Sequence, residues 1–197
     1  MVELNDSLGQ PIFAEISDGI YRLIVHDIAI TGVLPWKDIV CQGNLDKINV
    51  TVLNEGEAAE TFEVTLYTNS TLIGAEEVTN LSAETYIVLT FVWNTSGFMK
   101  GNYTICAIAD TVPNEAETAD NIFIDNWIIV SMIGDIIGPY GWPDGKVDIR
   151  DIAAVANRYG SSSGSPNYNP NFDIFFDGKI DVKDLARVAK HYGEVDE

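Results

Sequence analysis

The sequence predicts a mainly β chain: an antiparallel β-sandwich followed by a small α-helical unit built on two loop–helix repeats. Three observations carry this reading. Short runs of alternating apolar and polar residues recur from residue 23 to residue 131. Turn-forming clusters such as Asn54-Glu55-Gly56 and Lys100-Gly101-Asn102 separate them. After Ser131 one stretch of sequence occurs twice, the copies offset by 33 residues without a gap, which marks a duplicated structural unit.

Residues 1–22 read as an N-terminal extension. Ile12, Ala14, Ile16 and Ile20-Tyr21 suit an edge strand, or a strand donated to a neighbouring subunit. Residues 23–131 then form the sandwich. Its runs are 23–31, 48–53, 61–67, 85–92, 102–109 and 122–130. Ile48, Val50 and Val52, and likewise Phe62, Val64 and Leu66, put every second side chain on one face, the period of a half-buried strand. With no helical stretch among them, such strands stack as two antiparallel sheets.

Residues 132–197 carry the repeats, 144–160 and 177–193. In the second copy, counting Asp173 as loop position 1, carboxylates fall at positions 1, 5, 9 and 12 (Asp173, Asp177, Asp181, Asp184), with Gly178 at position 6. That is the layout of a calcium loop of EF-hand type: hard oxygens on alternate residues, and a glycine where the chain turns sharply. The carbonyl of Lys179 fills position 7, Ile180 packs between the paired loops, and Asp184 opens the helix. Position 3 is Phe175, which has no side-chain donor. The first copy supplies Asp144, Lys146 (through its carbonyl), Asp148 and Asp151 at positions 5, 7, 9 and 12. Strict counting puts Tyr140 at position 1, so Asp135 is the better candidate, with 138–143 as an enlarged loop whose carbonyls add oxygens. The competing reading is that these aspartates only cap helices, as Asp148 and Asp181 are placed to do. Capping needs one such residue per helix, however, not four carboxylates at set spacing, twice. Helices are expected near 149–159 and 182–192. Ile149, Ile152, Val155 and Tyr159 form one apolar stripe, and Val182, Leu185, Val188 and Tyr192 another, together the mutual core.

Two resemblances follow from these residues. His26-Asp27-Ile28-Ala29-Ile30, Ile48-Asn49-Val50-Thr51-Val52-Leu53-Asn54-Glu55-Gly56, Gly101-Asn102-Tyr103-Thr104-Ile105 and Glu117-Thr118-Ala119-Asp120-Asn121 resemble the CARDB-type adhesion modules of archaeal and bacterial surface proteins, over roughly residues 24–131. That likeness implies an Ig-like fold and no catalytic residues. Aspartate at position 12, with one helix per loop, resembles the dockerin repeat, and stretched first loops occur among archaeal dockerin-like repeats. This likeness implies two bound calcium ions and a cohesin-like protein partner. In the family the partner-facing residues lie around loop positions 10 and 11. Here Ile149, Arg150, Val182 and Lys183 stand there in place of the hydroxyl residues often found.

Charge narrows the partners. The chain carries 30 acidic and 11 basic residues, a net −19, which repels nucleic acid and anionic lipid. Residues 134–197 hold 11 acidic and 7 basic side chains, a net of −4, which two calcium ions roughly neutralise; the remainder carries −15. No apolar run reaches the length of a membrane span. Asn-x-Ser/Thr sequons at Asn5, Asn49, Asn69, Asn80, Asn94 and Asn102 lean toward an exported, extracellular or cell-surface protein. Cys41 and Cys106 can bridge strands or stand as half-buried thiols, and no spacing decides between these. No enzyme is expected: His26 and His191, the only histidines, have no nucleophile motif beside them. The expected function is a calcium-stabilised adhesion or assembly module that binds another protein. The alternatives are a self-assembling homo-oligomer, filament or lattice with N-terminal strand exchange, and a carbohydrate-binding accessory module whose glycan platform draws on Trp36, Trp93, Trp127 and Trp142.

Overall fold

Alternation in the sequence becomes alternation in burial. In β7 (Leu45–Asn54) the side chains of Ile48, Val50 and Val52 are buried, and in β8 (Glu60–Thr68) those of Phe62, Val64 and Leu66 are buried likewise. Successive strand residues point to opposite faces, so every second one enters the core. The computed structural model describes the backbone of residues 4–5, 11–12, 14–17, 20–115 and 117–196, and side chains from Leu23 onward except those of Ala116, Asn126 and Glu197.

At the N-terminus β1 (Leu4–Asn5) pairs antiparallel with β2 (Pro11–Ile12), and β3 (Ala14–Ser17) with β4 (Ile20–Leu23). The backbone of this segment, read from sequence as an edge or a donated strand, pairs locally in these strands. The side chains of Ile12, Ala14, Ile16, Ile20 and Tyr21 lie outside the described residues.

The remaining strands are β5 (Ile28–Pro35), β6 (Ile39–Cys41), β9 (Thr71–Leu81), β10 (Tyr86–Asn94), β11 (Gly101–Ala109) and β12 (Ile122–Ser131). One sheet has the order β10-β7-β5 and the other β6-β12-β11-β8-β9. This is the Ig-like sandwich, and it includes a parallel pair. Strand β6 runs parallel to β12, with Ile39 opposite Ile129 and Cys41 opposite Ser131. The chain leaves the first sheet at Pro35, which has no N–H to give a ladder. After Trp36-Lys37-Asp38 it joins the other sheet, and a strand that changes sheets without reversing keeps its direction.

The chain divides into two units, Met1–Val33 with Asn49–Thr90 and Cys106–Asp125, and Leu34–Ile48 with Phe91–Ile105 and Asn126–Glu197. In the second unit Trp93 is 1% exposed and meets the rings of Phe98 at 5.3 Å and Tyr103 at 5.6 Å edge-on, which makes it core and not a sugar platform. Cys41 and Cys106 are both free thiols.

The helices are α1 (Ile149–Ala156) and α2 (Val182–Lys190), each shorter than expected at its C-terminal end. Gly160 and Gly193, with φ of 82° and 87°, lie just beyond, and the last residues unwind into turns toward them. Val155 and Val188 pack with Ile136, Val147, Phe172, Ile174, Ile180 and Cys41, and Ile152 and Leu185 join at the margin. The ends of both expected stripes are not core: Ile149, Tyr159, Val182 and Tyr192 are all more than half exposed. The first helical residue precedes the packed turn, and the tyrosines follow the last one. The two repeats also close each other. Ile180 bonds to Gly160 and Ser161 beyond α1, while Val147 bonds to Glu194 and Gly193 beyond α2.

Candidate metal centre

The two loops repeat one hydrogen-bond pattern. Asp173 accepts from the N–H groups of Asp177 at 3.2 Å and Gly178 at 2.8 Å. Asp135 accepts from those of Asp144 at 3.1 Å and Gly145 at 2.8 Å. Asp135 thus takes in the first loop the bonds that Asp173 takes in the second, although five more residues separate it from its partner aspartate. At the other end Asp184 Oδ1 accepts from Ile174 and Phe175, and Asp151 Oδ1 from Ile136 and Ile137. The second oxygen of each accepts from the N-cap residue, Asp181 or Asp148, at 2.8 Å. Asp148 and Asp181 in turn accept from Arg150 and Lys183, so both helices start with a capping box. Capping and loop closure use the same carboxylates.

The added residues of the first loop fold on themselves. Gly138 N–H donates to Trp142 O at 2.5 Å, and Gly141 N–H donates to Gly138 O at 3.1 Å. A Cβ at Gly138 would stand 2.5 Å from that of Asp144, so only glycine fits there. Gly145 and Gly178 have φ of 79° and 81°, the left-handed turn expected at loop position 6.

Burial splits each set of four. Asp135, Asp151, Asp173 and Asp184 are at most 2% exposed. Burial pushes the Asp135 carboxyl up to about 6, against the two N–H bonds that pull it down. Burial also raises Asp184. The more open members face the chain's own cations. Lys183 Nζ lies 2.6 Å from Asp177, and Arg150 lies 3.3 Å from Asp144 and 3.0 Å from Asp148. The bond from Lys183 lowers the Asp177 carboxyl. Both basic residues occupy loop position 11. Among the described residues no three His, Cys, Asp or Glu side chains converge closely enough to hold a metal. The donor chemistry nevertheless fits a hard cation: oxygen only, four carboxylates per loop, two of them buried and acidic residues in excess. Phe175, at position 3, is 48% exposed beneath the Arg187 guanidinium.

Sequence reasoning missed how the loops are held. Lys37, 2% exposed, donates to the carbonyl of Asp173 at 2.5 Å and lies over the Phe176 ring. Burial lowers its pKa. Asn171 Oδ1 accepts the N–H groups of Asp38 at 2.9 Å and Ile39 at 3.2 Å, and Asn44 Nδ2 donates to Ile174 O at 3.0 Å. Trp36 meets Tyr168, and in the first loop Trp142 meets Trp127 of β12 at 5.1 Å. Lys100 pairs with Asp196. The sequence carries no signal of this, since Lys37 and Asn171 lie more than 130 positions from their partners.

Residues 26–123 match the family model for CARDB, and residues 143–191 match that for the dockerin type I domain. The chain carries a CARDB domain followed by a dockerin type I domain. Dockerin type I domains bind calcium and cohesin-type protein partners. CARDB and dockerin domains are non-catalytic modules, typical of extracellular or cell-surface proteins and of protein interaction and assembly. No helix among the described residues is long and apolar enough to cross a membrane. Among solved structures the chain is similar to the CARDB domain of a Pyrococcus furiosus protein crystallised in complex with di-metal ions, at 27% identity over 55% of this chain and 96% of that one, TM-score 0.48. The solution structure of the same domain gives 25% identity over 54% and 95%, TM-score 0.46. A cell surface protein domain of Methanosarcina acetivorans gives 20% over 54% and 92%, TM-score 0.45. Comparison with curated proteins gives no match.

Proposed function

We propose that the chain is an extracellular assembly module in which the dockerin pair binds two calcium ions, stays fastened to the sandwich strands of its own unit, and offers its helix starts to a protein partner. The observation that carries this reading is the set of bonds from Lys37, Asn44 and Asn171 across the start of the second loop. A pair meant to swing free on a linker has no use for a buried lysine bonded to its loop backbone. The first ion is held by Asp135, Asp144, Asp148, Asp151 and the carbonyl of Lys146. The second is held by Asp173, Asp177, Asp181, Asp184 and the carbonyl of Lys179. Calcium takes six to eight oxygens, and waters complete each shell. Arg150 and Lys183 give up their pairing as the ions enter. They then stand beside Ile149 and Val182, which are 63% and 62% exposed, on a surface suited to a cohesin-type protein with acidic and apolar contacts.

Calorimetric calcium titration of the full chain, with and without chelator, tests the first part; two ions lost together in Asp151→Asn with Asp184→Asn are expected, and no heat of binding at either loop refutes it. For the second part, binding to a panel of cohesin-type proteins is measured for the parent and for Ile149→Asp with Val182→Asp. Equal binding by both refutes the assigned surface.

A further inference from the structure

The first unit has its own concentration of negative charge, in residues outside both loops. Arg22 is its only lysine or arginine. Against this background Asp27, just before β5, lies within electrostatic reach of Asp120, Glu55, Glu115 and Glu117, and its carboxyl is raised by burial first and by these neighbours next. Glu115 is already engaged. Its Oε1 accepts from Ile28 N–H at 2.8 Å, and its Oε2 from Val112 N–H at 2.8 Å and from Asn121 Nδ2 at 3.0 Å. It therefore gathers the start of β5, the turn after β11 and Asn121 around one carboxylate.

Asn121 is 3% exposed. Its amide nitrogen is used on Glu115, which sets the carboxamide inside the cluster. Its Oδ1 is buried and accepts from no donor. One oxygen of Asp27 and one of Asp120 are in the same condition. Three acceptor-only oxygens are thus buried without donors, in a unit with almost no basic side chains. Water can satisfy one or two lone pairs but cannot offset the charge. A buried acceptor with nothing to accept is costly, the more so when charged. A cation bound among them would offset that charge, and oxygen-only donors select the hard divalent class.

The backbone around these oxygens is fixed on several sides. The carbonyl of Asp27 accepts from Glu55 at 2.9 Å and Gly56 at 3.2 Å, that of Asp120 from Ile30 at 2.8 Å, and that of Asn121 from Ala109 at 2.8 Å. A ligand set so held loses little freedom when an ion enters.

We propose that Asp27, Asp120 and Asn121 form a third cation site, in the first unit, that takes a hard divalent ion of the calcium class through their side-chain oxygens and water. The site is independent of the dockerin loops in residues and in position along the chain.

Native mass spectrometry of the full chain in graded calcium, with a magnesium arm, counts the ions. The parent is expected to hold three. Asp27→Asn with Asp120→Asn is expected to hold one fewer, and so is Asn121→Leu alone if the double variant folds poorly. Asp151→Asn with Asp184→Asn is expected to keep the single ion that the first unit holds. A parent whose ions are all abolished by the loop variant, and unchanged by Asp27→Asn with Asp120→Asn, overturns the third site and leaves the loop reading standing. A parent holding one ion, lost only in the Asp27/Asp120 variant, supports this site and refutes the loops.

Discussion

Asn171→Ala separates a fastened dockerin pair from a loosely tethered one. Asn171 sits in the 3-10 turn Pro170–Phe172, just ahead of Asp173. Its Oδ1 takes two N–H groups from the segment leading into β6, and the two bonds differ in value. That of Asp38 is exposed, and water replaces the lost acceptor. That of Ile39 is half-buried, and it is left with nothing. An exposed bond is worth about 0.5 kcal/mol, and a stranded donor about 1–2 kcal/mol, so the change removes roughly 2 kcal/mol. Denaturant unfolding should show that loss both in calcium and in chelator, because the bonds do not need the metal. Calcium affinity should fall at one site by about tenfold or less, since only part of 2 kcal/mol is coupled to ion entry. The other site should keep its affinity. Unfolding free energies unchanged within about 0.5 kcal/mol, or equal weakening of both sites, would refute the clamp.

Lys183→Met takes the chain's own cation away from Asp177, so calcium should bind the second loop several-fold more tightly at low salt, with the gain shrinking as salt rises; calorimetry at two ionic strengths reads this. Asp46 offers a pH test at a residue outside the two loops. It is wholly buried, Oδ2 has no donor, and burial raises its carboxyl to about 7. Because the folded value lies above the ordinary one, the folded state keeps its proton longer and stability falls as pH rises from about 4 to about 7. Asp46→Asn should therefore match the parent near pH 4 and exceed it at pH 8, by on the order of 3 kcal/mol in denaturant unfolding. A constant difference across pH would remove Asp46 as the cause.

Local pattern was legible in the sequence, and distant pairing was not. The burial of Ile48, Val50 and Val52 follows from a period of two, which any strand imposes. Asp135 could be placed at the head of the stretched loop because Tyr140 has no suitable oxygen, and the structure gives Asp135 the bonds of its counterpart Asp173. The parallel β6–β12 pair was hidden, since three residues between two strands do not say which sheet receives the second. Lys37 and Asn171 escaped notice because each meets its partner more than 130 positions away. Asp27, Asp120 and Asn121 were visible only as wording shared with a family. Their meaning depends on which oxygens lack donors, and that is a property of three dimensions. Ile149 and Val182 belonged to the right stripe, but their place at the first helical position turns them outward.

The crossed closure of the repeats has a consequence for how the protein is made. Val147 is tied down by Gly193 and Glu194, Gly145 accepts from Asp196, and Lys146 bridges Val195. The earlier loop is therefore latched by residues synthesised some fifty positions later, while the later loop finds Gly160 and Ser161 already waiting. On the ribosome, the latch on Gly145 to Val147 cannot form until Asp196 has emerged. Cleavage between Tyr192 and Gly193 would undo that latch and leave the bonds of Ile180 to Gly160 and Ser161 in place.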